Sequence, residues 1–164
     1  MNKLKLFALA SIFSFSLISC ERENRNDEDS INNYDIVLSG AQVVPASSSA
    51  AQGSIQGTYN PKTKTFNYQV RWSGLSGNIS SMHIHGIADK GFIAIPVAPL
   101  SAYPNGIVQT ITGYPSGTTG LFSGSLFVDG TVVKLHDLLA GKFYIDIHTA
   151  AHPNGEIRGQ IMFR

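Results

Sequence analysis

The sequence predicts an all-β domain, an antiparallel Greek-key sandwich or barrel with one short helix near its C-terminal strands. Three observations lead there. Apolar and polar residues alternate over several short stretches, Gly- and Pro-bearing turns separate those stretches, and a single segment has helical spacing.

Taken in order, Tyr34 to Leu38 reads as the opening strand. Ser54 to Tyr59 and Phe66 to Trp72 read as a hairpin about the turn Asn60-Pro61-Lys62-Thr63-Lys64. Within its second strand Phe66, Tyr68, Val70 and Trp72 share one face, while Asn67, Gln69 and Arg71 share the other. That pattern belongs to a half-buried antiparallel strand, with the aromatics in the core. The segment from Ile87 to Thr119 is less periodic and reads as long loops with one edge strand around Gly106 to Thr112. Gly120 to Val128 is a further strand, ended by Asp129-Gly130. Val133, Leu135, Leu138 and Leu139 gather on one side of a helix over Val132 to Ala140, with Gly141 placed to cap it. Phe143, Ile145 and Ile147 then alternate with Tyr144, Asp146 and His148. Ile157, Gly159, Ile161 and Phe163 form the last strand.

The N-terminal part has another character. Lys3 and Lys5 precede an apolar run from Leu6 to Ile18, too short for a membrane span but of the length of a signal-peptide core. Leu17-Ile18-Ser19-Cys20 resembles a bacterial lipobox, which implies cleavage before Cys20 and a diacylglycerol on its sulfur. Cys20 is the only cysteine, so no disulfide is available. Residues 1–19 are thus expected to be a lipoprotein signal peptide. Residues 20–33, polar and charged, are expected to be a disordered tether. Its cluster Asp27-Glu28-Asp29 suits a solvated linker or the surface-export signal of some Gram-negative lipoproteins. The expected location is the bacterial cell envelope, anchored through Cys20 in the outer membrane or at the cell surface. Residues 34–164 make one domain large enough to bury a core. The formal net charge is +1 and the lysines and arginines are scattered singly, so no nucleic-acid partner is indicated.

Five histidines occur, and four fall in two short segments, Met82-His83-Ile84-His85-Gly86 and Ile147-His148-Thr149-Ala150-Ala151-His152. Residues two apart on a strand point to one face, so His83 and His85 present two imidazoles side by side. His148 and His152 can meet them from a second strand, with Asp146 as a further ligand or a partner for an imidazole N–H. Such a set suits one copper or zinc ion. The same residues also suit a structural role, in which imidazoles and the turn His152-Pro153-Asn154-Gly155 hold loops through hydrogen bonds. Glu156 and Arg158, on one face, are placed to pair across to a neighbouring strand. His136, beside Asp137 on the helix, reads as a surface residue.

Several motifs in order resemble the CHRD domain, the module named after chordin. They are Leu38-Ser39-Gly40-Ala41-Gln42 with Val44-Pro45, Gly74-Leu75-Ser76-Gly77, His83-Ile84-His85-Gly86 and Leu138-Leu139-Ala140-Gly141. Tyr144-Ile145-Asp146-Ile147-His148-Thr149-Ala150-Ala151-His152-Pro153-Asn154-Gly155 and Glu156-Ile157-Arg158-Gly159-Gln160 complete the set. The resemblance runs from about Ile36 to Met162. It departs at Val43, where the family usually carries an acid. In chordin such domains accompany growth-factor-binding modules, which implies protein binding there. That role does not transfer to a bacterial lipoprotein, for which a protein ligand is one candidate partner and the ligand is undefined. A weaker resemblance, to copper-zinc superoxide dismutase, rests on Gly74-Leu75 leading to His83-x-His85 and on the later His148. The dismutase's bridging histidine, zinc loop and disulfide cysteines have no counterparts between Gly86 and His148.

No nucleophile elbow, phosphate loop or dinucleotide fingerprint occurs, so no catalytic residue is assigned. The favoured reading is a lipid-tethered binding module of undefined ligand. Its clustered histidines either form a structural hydrogen-bond network, the reading preferred on residue type alone, or hold one copper or zinc ion. The alternative is a metal-dependent redox enzyme with a reduced dismutase-like site.

Overall fold

A computed structural model describes residues 30–33, 36–95 and 104–163. The nine described strands are β1 (Ile31–Asn32), β2 (Ile36–Ser39), β3 (Gln52–Asn60), β4 (Thr65–Ser73), β5 (Ile79–His85), β6 (Ile107–Ile111), β7 (Gly120–Phe127), β8 (Tyr144–Thr149) and β9 (His152–Gln160). They form one antiparallel sheet in the order β6-β5-β8-β9-β2-β3-β4-β7, with β1 added to β3. Hairpins join β2 to β3, β3 to β4 and β8 to β9. The β4–β5 and β7–β8 connections cross between strands that are not neighbours, which makes the path a Greek key.

The sheet curls into a nearly closed barrel. Its two edges, β6 and β7, are bridged by one side chain: Gln109 accepts from the Tyr68 hydroxyl (3.1 Å) and donates to the Ser125 carbonyl (2.9 Å). That hydroxyl lies among core residues, and burial pushes its pKa up.

Alternation decides what lies inside. Phe66, Val70, Met82, Ile84, Ile145, Ile147 and Ile157 are fully buried, and Tyr68 and Trp72 nearly so. Two of the three large aromatics of β4, Tyr68 and Trp72, need space in the neighbouring strands, and glycine provides it. Trp72 stands between Gly53 and Gly120, and Tyr68 between Gly57 and Gly124. A Cβ at Gly120 would lie 2.4 Å from the indole, and one at Gly124 would lie 2.7 Å from the Tyr68 oxygen.

Several boundaries differ from the sequence reading. The signal peptide, Cys20, the acidic cluster and Tyr34 lie outside the described residues. The end of the expected tether does not hang free. Ile31 and Asn32 pair with Tyr59 and Thr58, and Asn33 pairs with Phe163 while its side chain bonds Gly57 N–H and the Ile55 carbonyl. The helix is shorter than predicted: α1 covers Leu135–Leu139 only, because the Asp129 carboxylate takes the N–H groups of Thr131, Val132 and Val133 into a turn. Its end is as expected. Gly141 (φ +71) and Lys142 return N–H bonds to the Leu138 and Asp137 carbonyls, a Schellman cap. The last strand starts earlier, at His152, because Ala150-Ala151 alone turns the chain and pairs Thr149 with His152.

The outer face of β9 is the main surprise. Glu156, Arg158 and Gln160 alternate with core residues as solvent-facing polar groups would, yet all three are buried, and the ion pairs expected from Glu156 and Arg158 to a neighbouring strand are not formed among the described residues. The Glu156 carboxylate instead accepts from Ser49 Oγ (2.8 Å), Ser76 N–H and Ser76 Oγ (2.7 Å each) and Thr149 Oγ1 (2.5 Å). This ties the β2–β3 and β4–β5 loops to the β8–β9 hairpin. Arg158 donates to the Phe92 carbonyl (2.8 Å), and Gln160 donates to Ala88 and Gly141 carbonyls. The loop after β5 is thereby strapped over β8 and β9.

Candidate metal centre

Register brings the site together on the outer face of β5 and β8. His83 lies directly opposite Asp146, His85 opposite Tyr144 and Ser81 opposite His148. Since Met82, Ile84, Ile145 and Ile147 fill the barrel, the alternate residues His83, His85, Asp146 and His148 must share the other side. One ligand atom from each of these four lies within 4.8 Å of the others. Two ligands of a tetrahedral ion about 2 Å from it are about 3.3 Å apart, so atoms separated by the full 4.8 Å would close by about 1.5 Å on binding.

Hydrogen bonds orient two of the rings. His85 Nδ1 is 2.9 Å from the Asn105 carbonyl, and His148 Nδ1 is 2.9 Å from the Pro153 carbonyl. A carbonyl only accepts, so each Nδ1 carries the proton and each Nε2 of the neutral ring presents its lone pair. Both lone pairs face the Asp146 carboxylate, at 3.1 Å in each case, and His83 Nδ1 lies 3.5 Å from the same carboxylate. These contacts are short, but they lack hydrogen-bond geometry. His83 Nδ1, His85 Nε2, His148 Nε2 and Asp146 Oδ1 are all buried without a hydrogen-bond partner among the described residues. Four orphaned buried polar atoms are costly, and here all four point to one place.

The electrostatics agree with a preformed anionic ligand. Burial alone would raise the Asp146 carboxyl, but contacts with His148, His83 and His85 outweigh it and hold it well below the ordinary range. Burial would likewise lower His148, and the contact with Asp146 reverses this, raising it.

Around the ligands stands a layer that alternation did not reveal. Tyr144 stacks on His85 with ring centroids 4.8 Å apart and planes 7° apart, and the Arg158 guanidinium lies 3.4 Å from the Tyr144 centroid. The Tyr144 hydroxyl accepts from Ala94 N–H (3.2 Å), fastening the strap loop beside the site. The only sequence signal for this layer was that Tyr144 shares a face with Asp146 and His148.

Of the residues predicted for the site, His83, His85, His148 and Asp146 come together and His152 does not. His152 Nδ1 sits 3.4 Å from Ser47 Oγ, beyond the β8–β9 turn. His136 is exposed beside Asp137 (3.2 Å) on α1, as expected. The loop-holding role anticipated for the histidines is real: it is carried by the Nδ1 atoms of His85, His148 and His152, and it leaves the Nε2 atoms of His85 and His148 free for a ligand. Val43, where an acid was expected from the resemblance, is buried against Gly155.

No curated protein and no solved structure matches the chain. The family model of the CHRD domain matches residues 34–161, which takes in every strand from β2 to β9 and all four converging side chains. The chain therefore belongs to the CHRD domain family.

Proposed function

We propose that this CHRD domain is an extracytoplasmic binding module, lipid-anchored through Cys20, that holds one copper or zinc ion by His83, His85, His148 and Asp146. The observation that carries the metal is the convergence of four buried ligand atoms that have no other partner. Three imidazole nitrogens and one carboxylate oxygen suit tetrahedral zinc and also copper(II). The Asn105 and Pro153 carbonyls hold two of the rings in the metal-binding tautomer. With Asp146 as a fourth ligand, the set favours a held ion over one with an open coordination position, and hence a binding module over a redox enzyme.

Metal content of the purified chain and calorimetric titration with copper and zinc near neutral pH test this reading. The native chain should bind one equivalent and His83→Ala/His85→Ala none. Equal binding by both would end it. The anchor is tested separately: Cys20→Ala should release the domain from the membrane fraction, and unchanged fractionation would remove the lipid from the proposal.

A further inference from the structure

Away from the imidazoles, the outer faces of β3, β4 and β7 form an open groove of about 830 Å³. Its register is regular: Gln56, Gln69 and Ser123 make one row, and Thr58, Asn67 and Ser125 the next. Asn32 of β1 extends the second row by accepting from the Thr58 hydroxyl (2.7 Å). Among the described residues, none that lines this groove is charged. A smaller depression of about 380 Å³ continues it along the same strands, where Arg71 is the one charged residue among the described lining residues and donates to Gln69 Oε1 (2.7 Å).

We propose that this groove binds a neutral polysaccharide strand. Amides and hydroxyls supply donors and acceptors together, which matches a ligand covered in hydroxyl groups. A nucleic acid would need cations along its path, and among the described residues lining the two depressions only Arg71 is charged. An apolar ligand would strand the amide groups without partners. The face also carries apolar platforms at its ends. Phe127 and Leu121 lie on the same side of β7 as Ser123 and Ser125, and are 60% and 41% exposed. An exposed ring beside amide side chains suits the C–H face of a pyranose, as the amides suit its rim. The groove's size falls within the range of about 300–1,000 Å³ usual for ligand sites, and it lies open to solvent along the sheet face.

Affinity electrophoresis of the full-length chain through gels containing neutral glucans (soluble cellulose, starch and β-1,3-glucan derivatives) or polygalacturonate tests the proposal. At least one neutral glucan should retard the protein, and polygalacturonate should not. Phe127→Ala should weaken the retardation by up to about tenfold, the worth of one aromatic contact. Asn67→Asp, on an exposed position, should weaken it as well. His83→Ala/His85→Ala should leave it unchanged, which separates this groove from the metal centre. Retardation by no neutral glucan, preference for polygalacturonate, or retardation indifferent to both groove substitutions would each overturn the assignment.

Discussion

Replacing Asp146 with Asn tests the metal centre at its only anionic ligand. The substitution preserves shape and removes a charge that three imidazoles surround at 3.1 to 3.5 Å. An ion present at about 100 times its dissociation constant stabilises the folded chain by roughly 2.7 kcal/mol. For a domain of this size that raises the midpoint of thermal unfolding by about 10 °C. Substitutions in the shell behind metal ligands already cost about 10–100-fold in affinity, so losing a ligand should cost at least about 100-fold. The same ion concentration then equals the new dissociation constant and stabilises Asp146→Asn by only about 0.4 kcal/mol, a shift of about 1–2 °C. Differential scanning calorimetry of both proteins, with chelator and then with zinc or copper, reads the difference directly. An equal shift in the two proteins, or none in the native chain, would refute the reasoning.

Three more outcomes follow from particular contacts. His152→Ala should leave the metal-induced shift intact, since its ring meets Ser47 and not the cluster; a lost shift in the same calorimetry would show otherwise. Glu156→Gln should destabilise by roughly 2–4 kcal/mol in urea titration, because a buried carboxylate serving Ser49, Ser76 and Thr149 becomes an amide that cannot satisfy them all. Burial would raise the Glu156 carboxyl, but the bonds from Thr149, Ser76 and Ser49 lower it. Its stabilisation is therefore present above the unfolded value near 4.3 and is lost as pH falls through the lower folded value, so the acid slope of stability should be shallower in Glu156→Gln. Gly124→Ala should cost about 1–3 kcal/mol by crowding the Tyr68 hydroxyl, and Tyr68→Phe should relieve part of that cost; strict additivity of the two in a double-mutant cycle would deny the contact.

Alternation along β4, β5 and β8 determined much of this protein before any tertiary contact. Period-two spacing put Phe66, Val70, Ile145 and Ile147 inside, and the same rule put His83, His85, Asp146 and His148 outside. Family motifs placed these residues in the right order, and Gly141 ended the helix where a left-handed residue was needed. What alternation cannot convey is how strands align or what lies over a sheet. The β5–β8 register set His83 against Asp146 and excluded His152, which the short Ala150-Ala151 turn carries past the site. Loops folded over β9 buried Glu156, Arg158 and Gln160, residues whose polarity reads as solvent exposure, because each has a partner, Ser49, Phe92 and Ala88 respectively, from a segment about 70 to 110 residues away in sequence. The strand formed by Ile31 and Asn32 was hidden for a related reason. Its pairing depends on the edge of β3 left open beyond β2, and not on any apolar pattern of its own.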